Sequence, residues 1–215
     1  LRQTSDRFLR EDRHDEAVAC LQALLDLLST QDVSEAIAIR FKLAEVLADI
    51  GKPAAAAQTL YPLIDRYYEE DLSSTGGITA VSADTMARAV MLTSKYLYEA
   101  KDFEALFTLS DKHRDTEAVG AYRPQVLYIT WVAARRADRP HLAEIVRESF
   151  LTDYAAHPLA ADIYFAEAMD ALARSDYDAA QRLLEYIVYR YPESRLINRV
   201  EDIRKRLDDQ APASP

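Results

Sequence analysis

The sequence predicts an all-α fold, an α-solenoid of antiparallel helix pairs, and three observations lead there. A short phrase recurs along the chain: a small polar turn, an aromatic residue or Pro two or three residues on, then Ala, then Leu four later. The four glycines, Gly51, Gly76, Gly77 and Gly120, all fall between helical patterns, and prolines cluster at similar places. Apolar residues recur at the 3.6-residue period, as in Leu43, Leu47 and Ile50, and in Leu183, Leu184, Ile187 and Tyr191. A phrase repeated at this length means helix pairs that bury their apolar faces by stacking.

Taken in order, residues 1–10 supply part of a first A helix, and Arg13-His14-Asp15-Glu16-Ala17, with Leu21, opens the first B helix over 13–29. The second pair spans 33–50 and 53–69, entered through Gly51-Lys52-Pro53 with Ala56 and Leu60. The third spans 80–100 and 102–113, with Asp102-Phe103-Glu104-Ala105 and Leu109. The fourth spans 119–137 and 140–154, with Asp138-Arg139-Pro140 and Ala143. The fifth spans 158–174 and 177–190 and holds the clearest copy, Ser175-Asp176-Tyr177-Asp178-Ala179-Ala180, followed by Leu183 and Leu184. The small positions are read as Ala17, Ala56, Ala105, Ala143 and Ala180, at spacings of 39, 49, 38 and 37. Two helices that cross at 8–10 Å need small side chains where they touch, and Ala supplies one without harming the helix. Pro53 and Pro140 sit in the first turn of their helices, where a missing N–H costs nothing. Pro62 lies inside a helix, where it should kink or end it. The connection from Glu69 to Val81 is about ten residues longer than its counterparts; it reads either as a contact-bearing insertion or as a solvated linker. Beyond Pro192, the stripe Leu196, Val200, Ile203 and Leu207 predicts a capping helix over 194–208, and residues 210–215 read as a disordered tail. The whole reads as one domain over 1–209, with units near 1–29, 33–69, 80–113, 119–154 and 158–192.

Composition narrows the function. A formal net charge of -10 argues against a general affinity for nucleic acid or anionic lipid. No apolar run approaches the roughly 20 residues of a membrane span. The single cysteine, Cys20, excludes an internal disulfide and Cys-based zinc sites. His14, His113, His141 and His157 share no ligand spacing, Gly76-Gly77 lacks the Lys-Ser/Thr pair of a phosphate loop, and no serine stands in a nucleophile elbow. The sequence thus offers no catalytic group, metal site or cofactor site. Abundant Ala, scarce Lys and a lone Asn198 suggest a GC-rich bacterial source. The chain begins at Leu1 without Met, which is compatible with a removed leader or an upstream domain, and the compartment stays open between cell envelope and cytoplasm.

The last unit carries Tyr164, Ala168, Tyr177, Ala180, Leu184 and Pro192 and closes on Arg190-Tyr191-Pro192-Glu193-Ser194. The second keeps Leu43, Ala44, Leu47, Ala56, Leu60 and Leu63; the third keeps Leu92, Tyr96, Ala105 and Leu109, with Thr93 at a usually small position. The fourth departs furthest, with Trp131 at a small position and Arg147 at an apolar one. This pattern resembles the tetratricopeptide repeat (TPR) family over most of residues 12–194, and the Tyr-Pro-Glu-Ser close is similar to bacterial envelope TPR proteins of the outer-membrane assembly and Tol-Pal type. The resemblance implies a right-handed superhelix whose A helices line a concave face. By register it places on that face Phe41, Lys42 and Glu45, then Val90, Met91, Ser94 and Tyr98, then Tyr128, Ile129, Val132, Arg135 and Arg136, and finally Phe165 and Met169. Such a groove, apolar and aromatic with a basic end, suits an extended or helical peptide from a protein partner. The carboxylate clamp that some relatives build from Asn and Lys has no counterpart here. The expectation is a non-enzymatic scaffold or adaptor; a helical arm of a larger envelope enzyme and a self-assembling dimer are the alternatives.

Overall fold

A computed structural model describes residues 1–28, 33–72 and 81–210. Of the expected connection from Glu69 to Val81, residues 73–80 lie outside the described residues, as do 211–215 of the expected tail; helix runs through Leu72 and through Gln210, so the connection starts later and the tail is shorter than expected. The described secondary structure is helical throughout: α1 Arg2–Arg10, α2 His14–Leu28, α3 Val33–Asp49, α4 Pro53–Leu72, α5 Ala83–Glu99, α6 Phe103–Lys112, a 3₁₀ turn at Glu117–Tyr122, α7 Arg123–Arg136, α8 Pro140–Tyr154, α9 Leu159–Ala173, α10 Tyr177–Arg190 and α11 Ile197–Gln210. Packing sorts the chain into two compact units, Leu1–Ala143 and Glu144–Pro215, with the boundary inside α8.

One turn recurs five times among the described residues. After α1, α3, α5, α7 and α9, the residues Asp12, Gly51, Lys101, Asp138 and Ser175 adopt φ of 62, 74, 61, 53 and 60°. The following N–H then donates five residues back: Arg13 to Phe8, Lys52 to Leu47, Asp102 to Leu97, Arg139 to Ala134 and Asp176 to Ala171, at 2.8–2.9 Å. This is the Schellman closure, which satisfies the last free carbonyls of a helix by a left-handed residue just past its end. The turns lie 39, 50, 37 and 37 residues apart, so the repeat inferred from side chains is also written in the backbone.

That register corrects one position. Four residues after each N-cap, Ala17, Ala56, Leu106, Ala143 and Ala180 close the first helical hydrogen bond with Arg13, Lys52, Asp102, Arg139 and Asp176. Four of the five are 0 % exposed and Ala143 is 8 % exposed. In the third pair the buried residue is therefore Leu106; Ala105, assigned there from the sequence, is half-buried. Both residues are apolar and adjacent, and only the N-cap fixes which one points inward: the Asp102 side chain accepts from Ala105 N–H at 3.3 Å, as Asp176 accepts from Ala179 N–H at 3.0 Å.

Only one of the five left-handed positions uses glycine, and a Cβ added at Gly51 would meet nothing within 4 Å. The left-handed φ alone thus resists substitution. Gly51→Ala is expected to cost about 1 kcal/mol in urea denaturation, and Gly51→Asp clearly less, since Asp12 and Asp138 hold the sister turns. Equal costs for Ala and Asp would mean that the turn is not held left-handed.

Three other expectations shift. Pro62, expected to kink or end its helix, does not end α4: the helix continues to Leu72 with Pro62 exposed, leaving the Gln58 carbonyl without its helical donor at the surface. The A helix expected over 119–137 starts at Arg123, because Pro124 cannot donate and is tolerated only in the first turn, so 117–122 tightens into 3₁₀. The cap begins at Ile197, after a turn in which Ser194 Oγ accepts from Leu196 N–H at 3.2 Å. The cap's stripe is real: Val200 is buried and α11 packs on α10.

Within Leu1–Ala143, α1 packs on α2, α2 on α3, α3 on α4, α4 on α5, and α5 on both α6 and α7. The first turns of α3 and the middle of α4 line one cavity. Leu21, Leu43, Leu60, Ile64, Met86 and Leu106 form part of its continuous core. Glu144–Pro215 has its own buried set, with Phe150, Ile163, Leu184 and Ile187. There Arg147, at a position the repeat makes apolar, is half-buried and paired with Glu144 at 2.6 Å and Glu167 at 3.1 Å. The ion pairs make that departure tolerable.

Candidate protein-binding face

The first helices of the pairs in Leu1–Ala143 are α1, α3, α5 and α7, and side chains bridge each to the next. Lys42 of α3 pairs with Asp6 of α1, and Arg2 reaches Glu35 at 3.5 Å. The Lys42 hydrogen bond holds the Asp6 carboxyl below its ordinary range. The Arg88 guanidinium of α5 lies 4.5 Å from the centroid of Phe41 on α3, and Arg136 of α7 lies 5.2 Å from that of Tyr98 on α5. On α7 itself, Arg135 lies 5.0 Å from the Trp131 ring, whose centroid is 5.8 Å from that of Tyr128. Stacking holds a guanidinium flat on a ring and leaves its edge for hydrogen bonding.

The residues expected on this face differ in exposure. Glu45, Arg135 and Arg136 are exposed, while Phe41, Lys42, Met91, Tyr98, Tyr128, Ile129 and Val132 are half-buried. Ser94 is a correction: it is 0 % exposed and its hydroxyl donates to the Val90 carbonyl at 2.9 Å, so it fills a helix contact. Val90 is likewise fully buried. Phe165 and Met169 belong to the other unit, where Phe165 is 8 % exposed beneath Arg199 of α11; Phe165 serves the cap contact, and Met169 is half-buried. Charge on the face is mixed. Glu45, Asp49 and Glu99 surround Tyr96, whose hydroxyl pKa rises first through burial and then through those carboxylates.

Arg88 was missed by the sequence reading, although a signal existed. It precedes Met91 by three residues and Tyr98 by ten, a helical spacing that puts all three on one side of α5. Trp131, read as a misfit at a small position, is buried at 4 % exposure and supports Arg135.

The histidines do not assemble. His113 is 2 % exposed at the end of α6, His157 Nδ1 accepts from Leu159 N–H at 3.2 Å, and His14 Nε2 lies 2.9 Å from Asp12. Among the described residues, no group of three His, Cys, Asp or Glu side chains is placed to hold a metal ion. No described helix is long and apolar enough to cross a membrane. Comparison with known proteins finds no family model and no curated protein that matches this chain.

Proposed function

We propose that the chain is a non-enzymatic, tetratricopeptide-like scaffold that holds a peptide or helix of a protein partner along the first-helix face of Leu1–Ala143. The observation that carries this reading is the pair of stacked guanidiniums, Arg88 on Phe41 and Arg136 on Tyr98, with half-buried Met91 and Val132 on the same helices. Aromatic and Arg side chains held in place, beside apolar area, are the chemistry of interface hot spots. The recurrent turn adds support, since a stack of repeats offers a continuous surface without a catalytic pocket.

Affinity capture from the source organism, with wild type beside an Arg88→Glu/Arg136→Glu variant of unchanged helicity, tests the reading. A protein retained by wild type and reduced about tenfold or more by the variant is the expected outcome. Equal capture by both would move the partner off this face.

A second reading, self-association, has one observation in its favour. On α10, Tyr177, Tyr186 and Tyr189 are 56, 39 and 86 % exposed, more aromatic surface than one helix usually leaves to water. Sedimentation across a hundredfold range of concentration separates the two: a constant monomer mass removes the dimer.

A further inference from the structure

The outer face of α10 differs from those of its sister helices at a place the fold leaves free. Fourteen residues past the left-handed turn residue, α2, α4 and α8 carry Asp26, Asp65 and Thr152, whereas α10 carries Tyr189, 86 % exposed. Packing within the repeat therefore does not call for an aromatic ring there. Tyr189 closes a stripe with Asp178, Arg182 and Glu185, at i, i+4, i+7 and i+11, which a helix places on one side. All four residues are exposed. Tyr186, 39 % exposed, flanks the stripe and packs on Tyr164, the ring centroids 4.8 Å apart. Glu185 accepts from Gln181 Nε2 at 3.3 Å and lies 3.6 Å from Arg204, with half of its side chain still exposed.

Reversed end for end, this stripe is complementary to itself. Asp178 and Tyr189 lie equally far from its middle, as do Arg182 and Glu185. Two copies of α10 laid antiparallel about a two-fold axis bring acid onto base twice at the centre, and a phenol onto a carboxylate at each end. Each copy carries a net charge of -10, so a contact between them needs local attraction, and these four pairs supply it. We infer that α10 is the contact between two copies of this chain, paired antiparallel, with Arg182 of each facing Glu185 of the other and Tyr189 of each facing Asp178 of the other. The inference rests on the self-association reading, which it deepens, and is separate from the protein-binding face. One helix against one helix buries less than the roughly 800 Å² per partner of a standard interface, which sets a dissociation constant of about 10–100 μM.

Sedimentation of the full chain at concentrations spanning that constant tests the contact, with Arg182→Glu, Glu185→Arg and the double variant, each of unchanged helicity. Wild type is expected to dimerise. Each single substitution sets like charges against each other twice and should weaken the dimer about tenfold or more, while the double variant regains the wild-type constant. An equimolar mixture of the two single variants should also dimerise, because the two acids of one copy then face the two bases of the other. Damage to the fold of either variant could not produce that recovery. Tyr189→Ala, which leaves the charges in place, should weaken the wild-type dimer as well. A wild-type chain that stays monomeric throughout would remove self-association and this contact together. A dimer indifferent to both single substitutions would keep self-association and overturn the contact, moving it to another surface. Single variants that weaken the dimer but stay monomeric when mixed would overturn the facing of Arg182 on Glu185.

Discussion

Replacing Leu106 by Ala is expected to destabilise the protein by about 2–5 kcal/mol, the range for emptying a buried Leu position. Leu106 is 0 % exposed within the core of Leu1–Ala143. It also occupies the same place after its turn that Ala17, Ala56 and Ala180 occupy after theirs. The reciprocal change at an equivalent place, Ala180→Leu, should cost about 1–3 kcal/mol by overpacking, because Ala180 has no free surface and the neighbouring helix would have to shift. Ala105→Leu, at a half-buried position, should cost less than about 1 kcal/mol. Urea unfolding followed by circular dichroism ranks the three. A larger loss at Ala105 than at Leu106 would reverse the register of the third pair.

Acid should unfold this protein partly through one histidine. His113 is 2 % exposed, and its pKa falls from 6.5 to about 4, first through burial, then through adjacent Lys112, with Asp65 pulling weakly the other way. The unfolded chain therefore takes up the proton before the folded one does. The stabilisation is intact above pH 6.5 and is lost progressively as pH falls towards about 4. In total it amounts to about 3 kcal/mol. Carboxylates titrate in the same window, so the informative quantity is a difference. Wild type should lose about 2 kcal/mol more between pH 7.5 and 4.5 than His113→Phe does. Parallel pH profiles would show that His113 is hydrated in the folded state.

The helices were legible to within a few residues because their signals are local: apolar period, first-turn Pro, and Asp at the N-cap. Side-chain direction at the edges of the pattern was not. Ala105 and Leu106 both satisfy a small-or-apolar rule, and the choice between them depends on where Asp102 caps. Ser94 was assigned to the binding face by family register, but a serine that donates to the carbonyl four residues back is content in a helix contact. The left-handed turn residues were clearest at Gly51; at Asp12, Lys101, Asp138 and Ser175 the polar turn marked the place of the closure but not the φ, which most non-glycine residues adopt only in such a local hydrogen-bonded cap. Arg88 escaped because an exposed Arg on a helix usually signals nothing, and its ring partner, Phe41, lies on another helix. The division into two units near Ala143 has no mark in composition either.

The recurring turn has a bearing on how the chain comes to be folded. Each closure spans only a few residues and needs nothing from distant parts of the sequence. Within Leu1–Ala143, every packed pair named above joins helices that are next, or next but one, in chain order. Loop-closure entropy is therefore small at each step, as in other chains of low contact order. As a ribosome releases the polypeptide, each new helix finds its neighbour already made, and assembly can proceed hairpin by hairpin from the amino end without waiting for the carboxyl end.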